Sequence, residues 1–409
     1  MVISLTGWAP AQSDGLSIFG YFQSSFQSQT DNDRGITANS FNLNQLNLFL
    51  QNDFSGSVTA FVNFEMTNGF TTDKNIGDFR IEEAWIKYTY ADWLAVKAGA
   101  LIPTFNNLNE IKNRTPLLPY VFRPIAYEST IGDIISLEDY VPQKALVQVE
   151  GRYPAGDVTL EYAVFAGNNE SAYQKQNRAS TGATEFVTGS DTVSFKMIGG
   201  RVGVRYDGIK AGVSVTSDKD FRHRSIVPKG FYNAFDTTLN ALGAFPSTDL
   251  GSLGDVDRVR LGVDLSVSKF GFTVEGEVIM VTPSLTGAQQ AELDKVGSAI
   301  PVVVPTPGGP MTVATISQPY NNAMDKLFYY GYLGYDVTDQ WTVYGGYSYL
   351  EEKLEKFFAD GMSMTTGGVV YRPMDRVVLK GQYQTFALNN RTYRKVDYSN
   401  YLVAVSVFF

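Results

Sequence analysis

From Leu16 to the C-terminus, segments of roughly ten residues alternate apolar and polar side chains, the period of an extended strand with two unlike faces. Leu46, Leu48 and Leu50 interleave with Gln45, Asn47 and Gln51. Ala84, Ile86, Tyr88 and Tyr90 interleave with Glu83, Trp85, Lys87 and Thr89, and Val259 to Val267 with Arg258, Arg260, Asp264 and Ser266. No run approaches the ~18 apolar residues of a membrane-crossing helix. A chain patterned this way can span a membrane only as a closed barrel, because hydrocarbon offers unpaired backbone groups no partner. A soluble sandwich alternates too, but does not usually place arginine pairs inside the alternation of so many strands.

The connections sharpen the topology. Short ones fall at Asp53–Gly56, Ala91-Asp92, Pro154–Asp157, Asp207-Gly208, Ser268-Lys269, Val337–Gln340 and Pro373–Asp375. Between them lie longer, Asn-, Ser-, Gly- and Asp-rich stretches at 28–38, 69–78, 103–141, 169–192, 219–255, 282–324, 351–360 and 388–397. Short turns alternating with long loops are the habit of outer-membrane barrels. Counting through gives an all-β transmembrane antiparallel barrel of about sixteen strands, one domain over residues 12–409. Residues 1–11, with Ala9-Pro10-Ala11 resembling a small-residue cleavage site, read as a signal-peptide remnant or a disordered tail. The last segment puts Tyr401, Val403, Val405, Val407 and Phe409 on one face, which closure against Leu16–Gln27 would cover along its edge. Tyr88, Tyr90, Tyr153, Tyr206, Tyr335, Trp341 and Tyr371 sit near the short turns, as an interfacial aromatic girdle requires.

The stretch 103–141 does not alternate, and a loop that long in a compact fold is usually functional. It carries Glu110, Lys112, Arg114, Tyr120, Phe122 and Arg123 among prolines, and is expected to fold inward as a constriction loop. Turning each strand's polar phase inward gives Lys87, Lys97, Lys144, Arg152, Arg201, Arg205, Arg258, Arg260 and Lys380 on the lumen wall. Glu65, Glu83, Glu150, Asp264, Glu275 and Glu277 stand against them. Walls of Arg and Lys favour anions by offsetting desolvation; the plainer reading is that Arg–Glu pairs brace the wall and select nothing.

Other chemistries find little support. Cysteine is absent, which removes disulfides and thiolate metal sites, and His223 is the single histidine. A net charge of -9 lacks the basic footprint of a nucleic-acid binder. Asp31-Asn32-Asp33 and Asp255-Val256-Asp257 lack the ligand spacing of a calcium loop. No catalytic residue, metal or cofactor is expected.

The run Glu83-Ala84-Trp85-Ile86-Lys87-Tyr88-Thr89-Tyr90-Ala91-Asp92-Trp93-Leu94-Ala95-Val96-Lys97-Ala98-Gly99-Ala100-Leu101-Ile102-Pro103-Thr104-Phe105 resembles a hairpin of the phosphate-selective porin O and P superfamily. There an acidic–aromatic strand, a tight Trp-Leu turn and a Lys/Arg-x-Gly strand lead into the inward loop. The resemblance implies a sixteen-stranded trimeric channel in the bacterial outer membrane, contacting lipid and passing small hydrophilic solutes. Phosphate specificity does not follow, since this lumen mixes charges where that family's is rich in Arg and Lys. Arg114 and Arg123 are the nearest counterparts of its basic loop residues, without a clear positional match. Three functions stay open: a general porin with anion preference, a selective channel for phosphate or carboxylates, and a structural or adhesive barrel whose loops 219–255 and 282–324 plug the mouth.

Overall fold

The computed structural model describes residues 15–69, 78–128, 140–168, 176–178, 184–186, 195–220, 256–289, 291, 300–306, 309–316, 325–352, 361–389 and 396–409. The N-terminal segment 1–11, His223 and most of the longest loops lie outside these residues. Among the described residues, twenty strands follow in chain order: β1 Leu16–Asp31, β2 Ile36–Ser55, β3 Val58–Gly69, β4 Asp78–Ala91, β5 Leu94–Leu101, β6 Ala145–Ala155 and β7 Val158–Asn168. Next come β8 Gln176–Arg178, β9 Thr184–Phe186, β10 Lys196–Tyr206, β11 Ile209–Asp220, β12 Val256–Lys269, β13 Phe272–Ser284, β14 Ile300–Thr306 and β15 Gly309–Ile316. The last are β16 Lys326–Asp336, β17 Trp341–Glu352, β18 Gly361–Met374, β19 Val377–Asn389 and β20 Val396–Phe408.

Sixteen of them close into an antiparallel barrel, each paired with its neighbour in chain order once β8, β9, β14 and β15 are set aside. The ring is sealed by β1 on β20, with Tyr21 opposite Phe408 and Asp31 opposite Tyr398. Closure removes the sheet edges that would otherwise be left unpaired. The other four strands form two separate two-stranded sheets, β8 with β9 and β14 with β15, inside stretches read from sequence as plain loops.

The expected faces are observed. Val202, Val263 and Val403 point outward and are about half exposed or more, at 66%, 47% and 62%. The girdle residues Tyr88, Tyr90, Tyr153, Tyr206, Tyr335 and Trp341 are outward and exposed as well. Some details differ from the sequence reading. The 28–38 stretch is a tight connection, because β1 and β2 stay paired up to Asp31 and Ile36. The β12–β13 turn falls at Phe270-Gly271, two residues beyond Ser268-Lys269, with both residues at positive φ (54° and 79°). A bulge in β4 against Asn63/Phe64 brings Glu82 as well as Glu83 to the inner face.

The polar lumen expected all the way round is found on only part of the wall. Toward the long-loop ends of β13, β16, β18 and β19, inward positions are apolar: Ile279, Val281, Phe328, Tyr330, Met362, Met364 and Phe386 are buried. The cause is the segment after β5, which fills that side of the interior.

Candidate functional site

Residues 103–128 form no ladder, so each of their buried amides needs a partner from elsewhere. Inward side chains of the barrel supply them. Thr104 N–H donates to Gln148 Oε1 (3.0 Å), Asn106 N–H to Ser214 Oγ (2.9 Å) and Leu108 N–H to Glu277 Oε1 (2.7 Å). Turning back, Thr115 N–H donates to Gln45 Oε1 (3.2 Å), Val121 N–H to Gln382 Oε1 (2.6 Å) and Ile125 N–H to Ser348 Oγ (3.4 Å). Asn109 Nδ2 spans the base, donating to the carbonyls of Pro103 (2.9 Å) and Pro142 (3.0 Å). The segment thus reaches β2, β6, β11, β13, β17 and β19 from inside. Its Phe105, Leu108, Ile125 and Tyr127 bury themselves against the apolar wall described above. Tyr120 and Tyr127 meet Tyr332 and Phe328 edge-on, with centroids 5.9 Å apart in each case. Burial, with nearby carboxylates, holds both phenols above their ordinary range. Phe122 packs half-buried on the same cluster.

The segment's charges are placed differently from expectation. Lys112 and Arg123 do not hang free. Lys112 Nζ donates to Asn109 Oδ1 (2.8 Å) and Gln143 Oε1 (3.0 Å), fully buried. Arg123 Nη1 donates to the Lys112 carbonyl (2.8 Å), and its backbone N–H binds the Glu128 carboxylate at 3.0 Å. Both brace the fold of the segment, where buried charge must be paired. Arg114 is one-third exposed and lies 3.7 Å from Glu83.

Of the charges assigned to the wall, nearly all meet a counter-ion. Arg201 grips Asp264 through Nε (2.9 Å) and Nη2 (2.6 Å), and Arg258 grips Asp218 at 2.8 and 2.6 Å. Arg260 shares Asp218 at 3.4 Å. Lys380 is buried against Gln23 Oε1 (3.0 Å) and the Thr115 carbonyl (2.9 Å). Lys144 and Arg80 meet Glu82 at 3.4 and 2.9 Å, and Arg80 also reaches Glu65 at 3.4 Å. Glu277 accepts Tyr127 OH at 2.6 Å beside its bond from Leu108, while Glu275 stands half-buried one inward position away.

Elsewhere the charges frame open space. Toward the short-turn end, a cavity of about 710 Å³ is lined by Lys87, Lys97, Arg152, Arg201, Arg205 and Lys210 and by Asp92, Glu110, Glu150 and Glu161. Glu150 lies between Lys87 (2.7 Å) and Lys97 (3.0 Å); Glu161 lies between Arg205 (2.6 Å) and Arg152 (3.1 Å). Each such trio carries one surplus positive charge. Glu82, Glu161, Asp218 and Lys210 escaped the sequence reading. A strict two-residue period around Glu161 on β7 and Lys210 on β11 would have found those two; the β4 bulge hid Glu82.

A closed sixteen-stranded barrel, oily outside and charged around an inner cavity, with a long segment seated within, is a transmembrane barrel of the porin fold. Solved structures agree with that fold. The chain is similar to an anion-selective porin of Comamonas acidovorans at 12% identity, with TM-score 0.58 over 96% of this chain and 99% of that one. It is also similar to the outer-membrane channel DcaP of Acinetobacter baumannii, at 12% identity, TM-score 0.57, and 98% and 100% coverage. OmpF of Salmonella typhi gives 10% identity, TM-score 0.55, and the same coverage. No protein-family model and no curated protein sequence matches the chain.

Proposed function

We propose that the chain is an outer-membrane porin, a water-filled channel for passive diffusion of small hydrophilic solutes, with a preference for anions. The observation that carries the reading is the charge around the 710 Å³ cavity, six basic residues against four acidic. Surplus cations on a lumen wall lower the cost of bringing an anion out of bulk water. Lys87, Lys97, Arg152, Arg205 and Lys210 are the residues to which the preference is assigned, and residues 103–141 are the constriction. The name of the Comamonas neighbour points the same way. The hairpin from Glu83 to Phe105 favours kinship with the phosphate-selective porin O and P superfamily, and with it assembly as a homotrimer.

Reversal potentials of the purified channel in planar bilayers under a KCl gradient test the reading. Anion preference that falls in Lys87→Gln plus Lys97→Gln supports it. Absence of conductance would favour instead a structural barrel, and cation preference would refute the assignment of these residues.

A further inference from the structure

Two inward rows run side by side on the wall next to the basic cavity, reaching it at Trp85, where Lys97 Nζ lies 5.4 Å from the ring centroid. The first is aromatic: Tyr21, Phe49, Phe61 and Trp85 follow one another on β1 to β4, with centroids 5.3, 5.6 and 5.0 Å apart. Two residues further along each strand toward the long loops, the next inward position, stand Gln23, Asn47, Asn63 and Glu83. Asn47 Nδ2 donates to Asn63 Oδ1 at 2.8 Å, tying the second row together.

This second row and its neighbours hold polar atoms that meet no partner among the described residues. Gln23 Nε2, Ser25 Oγ, Asn47 Oδ1, Gln384 Nε2 and Asn400 Oδ1 are orphaned in residues that are all more than nine-tenths buried. Groups left in that state destabilise the fold, so the wall suits a partner that the chain does not supply. The chemistry of the orphans narrows that partner. Amide nitrogens donate, amide oxygens accept, and the serine hydroxyl does either. An anion brings acceptors alone and would leave Asn47 and Asn400 unmet. A hydroxyl group brings both. The C–H faces of a sugar ring in turn match a flat aromatic row.

We infer that the two rows form a track for uncharged polyhydroxylated solutes, sugars and sugar alcohols, parallel to the charged cavity; the inference rests on the porin reading above. In this structure the loop arm at Thr115 and Leu117 lies over part of the track. Thr115 is held by Gln45 at 3.2 Å and Lys380 at 2.9 Å, and Leu117 packs on the aromatic row. A solute enters by displacing that arm.

The test uses the full chain in liposomes, comparing swelling rates in sucrose with those in a polyethylene glycol of matched hydrodynamic radius. Sucrose should enter several-fold faster. Phe49→Ala plus Phe61→Ala, and separately Asn47→Leu plus Asn400→Leu, should abolish the difference while the KCl reversal potential, set by charges elsewhere, holds. Heat-modifiable migration on gels checks that each variant still closes its barrel. Equal rates for sucrose and glycol in the native protein would overturn the track, the orphaned atoms then binding water only, whatever the variants do. A native protein without KCl conductance would defeat the porin reading itself, a separate outcome.

Discussion

Glu277 on β13 accepts from both arms of the inner segment at once: Leu108 N–H at 2.7 Å on the outgoing arm and Tyr127 OH at 2.6 Å on the returning one. Glu277→Ala removes this latch and leaves the two donors buried without acceptors. Orphaning costs about 1–3 kcal/mol per group, so the seated segment loses about 2–6 kcal/mol relative to a lifted one. At 1.4 kcal/mol per factor of ten, lifting becomes about 30-fold to 10⁴-fold more frequent. Tyr127→Phe removes one donor and should do less, and in the double variant the two effects should fall short of their sum, because they share one carboxylate. Hydrogen exchange read on peptides covering 103–128 should quicken in Glu277→Ala, with larger current noise in single-channel recordings. The barrel itself should keep its heat-modifiable migration, since no ladder bond is touched. Unchanged exchange at Leu108 would refute the latch, because that amide meets no other acceptor among the described residues.

Other perturbations separate the remaining roles. Asp264→Ala leaves the Arg201 guanidinium, now bonded at 2.6 and 2.9 Å, without its carboxylate, and reversal potentials should move toward anions. Removing residues 106–127 should raise single-channel conductance several-fold if the segment is the constriction; an unchanged value counts against that role. Phe270→Asn relieves a bulky residue at φ 54°, a conformation costing about 1–2 kcal/mol, and should raise the urea midpoint of unfolding from lipid vesicles. Val202→Arg on the lipid face should lower the same midpoint by the equivalent of about 2–4 kcal/mol if it lies near mid-bilayer.

Much of the barrel was legible because a strand with one oily and one watery face records its own orientation. Val259, Leu261, Val263 and Leu265 could point only one way once Arg258, Arg260 and Asp264 pointed the other, and they do. The chain ends could be joined in advance for the same reason, with Val403 and Tyr401 lipid-facing and β20 paired to β1. The record fails where both faces are alike. Leu327-Phe328-Tyr329-Tyr330 has no alternation, because Phe328 and Tyr330 face the inner segment while Leu327 and Tyr329 face outward. It fails again at the extra residue in β4, which shifts the phase and admits Glu82. The partners of Lys112 and Arg123 were beyond reach for a different reason: they come from the segment's own return path, a tertiary fact with no local pattern.

The seating of the inner segment decides how the interior is divided. An irregular segment inside a barrel must satisfy its amides and hide its own apolar side chains. Gln45, Gln148, Ser214, Glu277 and Gln382 meet the first need, and the oily inner faces of β13 and β16–β18 the second. Those faces are therefore unavailable to a hydrophilic solute. What is left is the charged arc from Lys87 to Lys210 and the amide and aromatic arc from Gln384 to Trp85. If solutes instead crossed beside Phe328 and Met364, substitutions there would alter permeation with the segment still seated. Changes at Lys97 or Asn47 would then alter nothing, and the division of the lumen argued from packing would be wrong.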